Sequence, residues 1–342
     1  MDVLRQLERP LPRMADEVAA YVVQAAIWAP SVHNTQPWWF AADGTEITLR
    51  ADAGRQLAVA DPAGREMMIS CGAALFTARL ALRSLGYLPE TKVLPDPADP
   101  LLIARLRWRR RAAVTAGEEE LFGQVPKRRT HRGGFEPVPP PPGLVDALRQ
   151  DAARHGAALR VAITDEARAA LAAITEAAEH AESSDSAYLR ELAEWVPAPG
   201  SPRLDGVPSS SYPARPEVTS PYFPGRDFAH GHGWGLQFVT AISPVRFTGL
   251  VGMLTTPTDD PPDWVNAGQV LQQMLLTSAA FGAACALHSQ PTEVAWLREA
   301  LRAELGDGSY PQLILRLGTA VQNAISTRRP AESVLALSSR TG

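Results

Sequence analysis

Apolar residues recur along the chain with two periods, which divide it into predicted helices and strands. Helical spacing predicts helices at 15–28, 64–85, 143–155, 165–193 and 261–286. Alternating or short apolar runs predict strands at 38–40, 47–51, 101–108, 158–163 and 313–317, and further strand-like segments lie between 236 and 254. Helices and strands are therefore mixed along the whole chain.

The order of these elements repeats. The long helix and strand of the 64–106 region resemble those of the 268–317 region, and each half also has an early helix and an early strand. A polar connector at 112–126 separates the two patterns. We therefore predict two related halves, 1–118 and 119–342, that pack like a dimer fused into one chain around a pseudo-two-fold axis.

The composition is that of an ordinary globular protein. Of its 342 residues, 45% are hydrophobic and 20% are charged. The net charge of −4 argues against a nucleic-acid partner. No apolar run reaches the ~18 residues that a membrane-spanning helix needs. The N-terminus also lacks the pattern of a signal peptide, so we expect a cytoplasmic protein without a membrane partner.

A polar loop follows the first predicted helix. This proline-flanked loop is Ala29-Pro30-Ser31-Val32-His33-Asn34-Thr35-Gln36-Pro37-Trp38. Because proline restricts the residue before it, we expect Ala29 to end the helix and Gln36 to be extended. A stiff polar loop between regular elements is a common place for a ligand. Ser31 and Asn34 are its strongest candidates, and we expect His33 to be structural.

A second candidate segment is strongly basic. This basic motif is Arg128-Arg129-Thr130-His131-Arg132. In extended backbone, alternate side chains share one side at ~6.6 Å intervals, which would place Arg128, Thr130 and Arg132 together. Such a group would grip a phosphomonoester and an attached electron-rich ring, and the alternative is a solvated basic loop. Arg328 and Arg329 near the C-terminus are either an addition to this phosphate site or surface charge.

Other motifs give no support to alternative chemistries. His230-Gly231-His232 resembles part of a metal site, but no further ligands stand nearby, so we predict no metal. The sequence has no Gly-x-Ser-x-Gly elbow, Walker loop or His-Glu-x-x-His motif, which leaves hydrolases and nucleotide triphosphatases without an anchor. The glycines at 231–235 have the wrong spacing for a Rossmann dinucleotide site.

The loop and the basic motif together resemble a known family. Residues 30–38 are similar to the Pro-Ser-x-x-Asn-x-Gln-Pro-Trp loop of nitroreductases, and the basic motif is similar to their Arg-x-Ser-x-Arg/Lys motif. Because the basic motif follows the loop by about a hundred residues, the chain resembles the Acg-type members, which look like two nitroreductase halves fused. The resemblance implies an α+β nitroreductase-like fold. Each half would have a mainly antiparallel sheet flanked by helices, and the two would form an intramolecular pseudo-dimer.

The resemblance also implies a cofactor, because ordinary nitroreductases hold flavin mononucleotide (FMN) at the interface of a homodimer. Arg128 and Thr130 would bind its phosphate with help from Arg328 and Arg329, and Arg132 would lie beside the pyrimidine edge of the ring. No side chain is predicted to be catalytic. The full set of predicted FMN contacts is Pro30, Ser31, Val32, Asn34, Gln36, Arg128, Arg129, Thr130, Arg132, Leu287, His288, Ser289, Arg328 and Arg329.

Two functions follow from the resemblance. The first half lacks a basic motif of its own at 7–13, which implies one FMN per chain, in a monomer with internal symmetry or in a homodimer. The segment at 195–235, rich in Pro, Gly and aromatic residues, would be a lid over FMN or else a surface loop. The implied activity is reduction of nitroaromatics or quinones with NADPH or NADH. The alternative is an FMN storage or sequestration protein whose lid prevents turnover.

Overall fold

The computed structural model describes residues 14–212, 218–228, 245–305, 307–320 and 326–338. In these ranges the chain forms two five-stranded sheets, a two-stranded ribbon and the helices around them. None of the described helices is long and apolar enough to cross a membrane. Residues 7–13, His230-Gly231-His232 and the glycines at 231–235 lie outside the described ranges, as do parts of the 195–235 segment.

The first sheet is built mainly from the N-terminal half. Its helices are α1 (Ala15–Ala26), α2 (Arg65–Ser84) and α3 (Ala116–Phe122), and its strands are β1 (Trp38–Asp43), β2 (Glu46–Ala51), β3 (Tyr87–Val93) and β4 (Leu102–Arg111). The strands lie in the order β1-β2-β4-β3, and all neighbours are antiparallel. Alternate residues of β1 and β2 are buried because one face of this sheet packs on the core.

The second sheet comes from the C-terminal half. Its helices are α4 (Leu144–Arg154), α5 (Asp165–Ser184), α6 (Ser186–Glu194), α7 (Pro261–Ala280), α8 (Gln290–Glu293) and α9 (Ala295–Leu305). The strands of this half are β5 (Thr130–His131), β6 (Ala158–Val161), β7 (Thr219–Ser220), β8 (Arg246–Phe247), β9 (Leu250–Thr256), β10 (Ala284–His288), β11 (Tyr310–Gly318) and β12 (Leu335–Leu337). Five of them, β5, β6, β9, β10 and β11, form the second sheet. The order is β6-β9-β11-β10-β5, and β7 pairs with β8 separately. The last strand, β12, crosses back to pair in parallel with β1 of the first sheet.

The two sheets repeat one topology. The series α1-β1-β2-α2-β3-β4 corresponds to α4-β6-β9-α7-β10-β11, and the four strands of each series lie in the same spatial order. Of the described strands in the two sheets, β5 and β12 stand outside this repeat: β5 pairs in parallel with β10, and β12 pairs in parallel with β1. The prediction of an α+β fold with two related, mainly antiparallel halves flanked by helices is confirmed.

The long helices α2 and α7 cross with their backbones in contact. Gly72 lies against the carbonyl of Val265, and Gly268 lies against the carbonyl of Ile69. Each glycine therefore meets the residue three positions before the other, which is the reciprocal contact expected at a two-fold axis. Glycine is required at both positions because only a residue without Cβ lets the backbones approach this closely.

The extra material of the C-terminal half lies between β6 and β9. In the first half, β1 and β2 are joined by a tight turn at Gly44, whereas residues 162–249 join β6 to β9. This insertion includes α5 and α6, so it begins well before the 195–235 segment that its composition predicts. Its two helices contain no proline or glycine, so the composition that marks the 195–235 segment does not extend to them.

Some predicted elements differ from the structure at their ends. Helix α7 stops at Ala280 rather than at 286, because Gly282 takes a φ of 74° and the chain then enters β10. The single helix predicted at 165–193 is two helices, since Asp185 leaves the helical region and its side chain accepts the backbone N–H of Ala187. Helix α1 ends at Ala26, three residues before Ala29.

Other elements were not predicted at all. The connector at 112–126 contains α3, which begins with a capping box between Thr115 and Glu118. Strand β3 is an edge strand with a register shift at Pro89, and none of its residues is buried, so it lacks the apolar alternation of an inner strand.

Candidate functional site

The proline-flanked loop leaves α1 and turns tightly before β1. Residues Val32–Asn34 form one 3₁₀ turn, and His33, Asn34 and Gln36 have φ angles of 45°, 54° and 51°. The prediction of an extended Gln36 is therefore wrong. Its backbone N–H donates to Ser31 Oγ at 2.9 Å, which closes the loop and holds Gln36 in the left-handed region.

Two amide side chains of the loop connect it to distant segments. Asn34 donates to the carbonyl oxygen of Gly206 at 2.9 Å and accepts from Arg328 Nη1 at 3.0 Å. Gln36 donates to the carbonyl oxygen of Leu204 at 2.9 Å and accepts from the backbone N–H of Arg329 at 2.8 Å. The loop, the insertion and the C-terminal segment are thus held together at one place.

The basic motif reaches the same place from the other half of the chain. Strand β5 pairs with β10 and fixes the motif at the edge of the second sheet. Arg128 donates to the Trp28 carbonyl oxygen at 3.1 Å, and Arg328 donates to that of Ala29 at 3.0 Å. Arg128 Nη1 also lies 3.4 Å from Thr130 Oγ1, so these two side chains share a side as predicted. The two residues that follow the C-cap of α1 therefore anchor two guanidinium groups through their backbone carbonyls.

Four arginines concentrate positive charge here without a carboxylate. Among the described residues, none of Arg128, Arg129, Arg132 and Arg328 forms a salt bridge. Burial, followed by the charges of its neighbours, lowers the pKa of Arg128 to about 9. Burial and the other three arginines hold the pKa of Arg328 well below its ordinary value. Nε of both side chains is buried and has no acceptor among the described residues, so these groups could hold an anion.

The insertion contributes aromatic residues beside the basic motif. Arg132 donates to the Ser211 carbonyl oxygen at 3.3 Å and lies over the Phe228 ring at 5.6 Å. Phe228 stacks on Tyr212 with ring centroids 5.7 Å apart. Phe228 and Tyr212 thus form an aromatic wall beside Arg132.

The remaining predicted contacts lie at the margin of this cluster. His288 at the end of β10 is buried and accepts from Arg316 Nε at 2.8 Å, and burial and Arg316 keep its pKa well below the usual value. Ser289 Oγ accepts from Arg226 at 3.1 Å, while Leu287 is half-buried. Arg329 turns toward the carbonyl oxygens of Gln36 and Ser333 rather than toward the other arginines.

A second group of buried ionisable side chains links the insertion to α8. Arg226 donates to Glu293 at 2.6 Å and to Glu182 at 3.3 Å, and the exposed fractions of the three side chains are 7%, 2% and 5%. Burial opposes ionisation of Glu293, but Arg226 outweighs it and depresses the pKa. Glu182 is less well compensated, so burial raises its pKa well above the ordinary value.

Comparison with known proteins places this arrangement in a family. The Mycobacterium tuberculosis H37Rv protein named "Putative NAD(P)H nitroreductase Rv3131" is 37% identical over 310 residues, which are 90% of this chain and 87% of that protein. The protein named "Putative NAD(P)H nitroreductase acg" from the same strain is 30% identical over 95% of this chain and 97% of its own length. The chain belongs to the Acg-type nitroreductase family.

Two further comparisons add little to this assignment. No protein-family profile matches the chain. A crystal structure of a nitroreductase with bound FMN from Desulfitobacterium hafniense DCB-2 is 16% identical and covers 63% of this Acg-type chain and 96% of its own, with a TM-score of 0.38.

Some residues of the site in this Acg-type chain are not among those predicted from the sequence. Trp28 supplies a carbonyl to Arg128, and its ring lies 4.6 Å from the guanidinium of Arg129. Its position directly before the proline-flanked loop is a signal that could have identified it. Phe228 is indicated only as one of the aromatic residues of the 195–235 segment. Arg226 has no signal of its own, because only folding brings the insertion to the loop.

The Glu182 carboxyl makes the stability of this Acg-type protein depend on pH. Its folded-state pKa is raised, so the folded protein keeps a proton that the unfolded chain releases above its ordinary pKa near 4.5. The contribution of Glu182 to the unfolding free energy should therefore fall by up to about 1.4 kcal/mol per pH unit as the pH rises from 5 toward 8. Glu182→Gln should flatten this dependence in denaturant titrations at pH 5, 6, 7 and 8.

Glu194→Gln is the matched control for that prediction. Glu194 lies one helix further along the insertion and is exposed, so its amide variant should follow the wild-type pH profile. Parallel profiles for the wild type and Glu182→Gln would show that the carboxyl is not held protonated by burial.

Proposed function

We propose that the chain binds one FMN between the proline-flanked loop and the four-arginine cluster, and that it is an FMN-dependent NAD(P)H oxidoreductase. The observation that carries the proposal is the group of buried and half-buried arginines beside a neutral, polar loop, with no carboxylate paired to them among the described residues. A phosphomonoester would satisfy the unpartnered Nε groups of Arg128 and Arg328. Its neutral ribityl chain and ring would meet the loop, so the residues fit the cofactor.

The proposed contacts divide by charge. Arg128, Thr130 and Arg328 would hold the phosphate, and Arg129 would add charge while stacking on Trp28. Pro30, Ser31 and Val32 would approach the ring and the ribityl chain. The side chains of Asn34 and Gln36 instead hold the loop to Gly206, Leu204 and the C-terminal segment, so we assign them to positioning.

Five more predicted contact residues receive more limited roles. Arg132, beside the aromatic wall, would favour negative charge on the ring. Arg329 would support the loop. Leu287, His288 and Ser289 would border the site, with His288 held as a neutral imidazole that accepts from Arg316.

The two halves do not offer equivalent sites. In the first half, residues 27–37 connect α1 to β1 and include the loop, whereas residues 155–157 make the corresponding connection between α4 and β6. Three residues cannot form a second loop of this kind. This asymmetry supports one FMN per chain in an intramolecular pseudo-dimer, for which a monomer is sufficient.

Bound FMN supplies the redox chemistry, since it can take hydride from NADPH or NADH and pass electrons to a nitroaromatic or a quinone. The chain supplies position and charge. Its arginines would balance the negative charge of the phosphate, and Arg132 would add positive charge near the ring. The insertion would limit the access of water to the site. We assign no side chain to general acid or base catalysis in the proposed reaction.

FMN storage or sequestration is a second candidate, and a specific observation favours it. The insertion bonds to the loop through Leu204 and Gly206 and contacts Arg132 through Ser211 and Phe228. A lid fastened at these points would restrict the approach of a nicotinamide. A storage protein needs only the contacts that bind FMN and no binding site for a nicotinamide.

Anaerobic mixing of the holoprotein with NADPH or NADH separates the two functions. We expect the flavin absorbance to bleach rapidly with one nicotinamide if the protein is a reductase. Bleaching by dithionite alone would favour storage, because the flavin would then be reducible but closed to hydride donors. Protein that contains no flavin and takes up none would contradict both functions.

A further inference from the structure

His33 is a buried polar residue to which the proposed function gives no role. It lies in the middle of the proline-flanked loop, and its exposed fraction is 5%. Neither ring nitrogen has a hydrogen-bond partner among the described residues. A buried imidazole without partners is costly, because both nitrogens lose water and gain nothing in return.

The backbone at His33 adds to this cost. Its φ of 45° lies in the left-handed region, which only a few per cent of residues other than glycine adopt, although histidine is among the types that do so more often. Strained backbone at a residue with unsatisfied polar atoms is typical of ligand-binding loops, where a bound molecule completes the site. A purely structural role leaves both features unexplained.

The surroundings keep the imidazole neutral. Its ring meets the edge of Phe228 with centroids 5.8 Å apart. Burial is the main cause that lowers the pKa of His33 to about 3, and the charges of Arg226 and Arg132 lower it further. The carboxylate of Glu293 has the opposite, smaller effect. A neutral imidazole has one N–H donor and one acceptor nitrogen, so it suits an uncharged polar partner rather than a phosphate.

We propose that His33 hydrogen-bonds to a polar atom of the isoalloxazine ring of bound flavin. The phosphate has its own donors on Arg128 and Arg328, and an aromatic wall stands beside His33 at Phe228. The ring edge carries carbonyl and N–H groups that match a neutral imidazole. This inference rests on the proposed function, because it requires flavin between the loop and the basic motif.

A series of three flavins locates the contact. Binding of FMN, riboflavin and lumiflavin is measured by flavin fluorescence for the wild type, His33→Phe and His33→Asn. His33→Phe keeps a ring but removes both nitrogens, and it should weaken all three flavins equally, by about 3- to 10-fold. His33→Asn keeps a donor and an acceptor and tolerates the left-handed backbone, so it should stay within about 3-fold of the wild type.

Arg128→Ala is the contrasting variant, because it should weaken FMN and leave riboflavin and lumiflavin unchanged. Thermal melting checks that each variant folds, and His33→Ala replaces His33→Phe if the larger ring does not fit. Nitrogen-free variants that bind all three flavins like the wild type would overturn the inference. A loss of affinity for FMN alone would also overturn the inference, and so would a loss of affinity for FMN and riboflavin but not for lumiflavin. A wild-type protein that binds no flavin would overturn the proposed function as well.

Discussion

Replacing Gly72 or Gly268 with alanine is expected to lower the free energy of unfolding by about 3 kcal/mol. A Cβ on Gly72 would overlap the Val265 carbonyl oxygen and lie 2.9 Å from its carbon, and one on Gly268 would lie 2.8 Å from the Ile69 carbonyl carbon. The obstacles are backbone atoms of the opposite helix, so no side chain can move aside. The helices would have to separate, and apolar contacts on both sides of the crossing would loosen. Denaturant unfolding monitored by circular dichroism measures this effect.

Gly117→Ala is the control for both glycine variants. Gly117 lies in α3, and a Cβ there would have no atom within 4 Å. Alanine should therefore leave the stability unchanged or raise it by about 0.5–1 kcal/mol, through its better helix propensity. If Gly72→Ala and Gly268→Ala unfolded like this control, the helices would not cross backbone to backbone.

The second large effect concerns the arginine cluster. Arg128→Ala and Arg328→Ala should each weaken FMN binding by about 10- to 100-fold, because each removes a charge-assisted contact worth about 1.5–3 kcal/mol. Neither arginine has a carboxylate partner among the described residues, so the loss should appear in ligand binding more than in folding. Fluorescence titration with FMN and riboflavin measures both affinities. The FMN-to-riboflavin preference should shrink in both variants.

Arg110→Ala controls for the loss of a positive charge. Arg110 is exposed on β4 of the first sheet, so its removal should change neither affinity. If Arg128→Ala bound FMN like Arg110→Ala, the phosphate would lie elsewhere.

The local pattern of residues predicted most of the fold. The apolar period of α2 and α7 and the alternation in β1 and β2 reflect faces that are truly buried, so both were visible in the sequence. Strand β3 was not, because an edge strand with polar residues has no buried face to mark it. Gln36 took a left-handed backbone because a bond to Ser31 outweighed the preference of a residue before proline.

The site was predictable where its chemistry is local. The proline-flanked loop and Arg128 carry their own signals of rigidity and charge, and folding brings them together through the carbonyl of Trp28. The contacts of Gly206 and Arg226 depend on how the insertion returns to the loop, which no local pattern encodes. His33 was expected to be structural, and its unpartnered ring nitrogens became visible only with the surrounding side chains in place.

Titration of flavin-free wild-type protein with FMN and with riboflavin tests the central claim most directly. The account predicts one FMN per chain, because only one half has the proline-flanked loop, and an affinity for FMN at least about tenfold above that for riboflavin, because the arginines bind the phosphate. Equal affinities, two equivalents of FMN per chain, or no binding would contradict it.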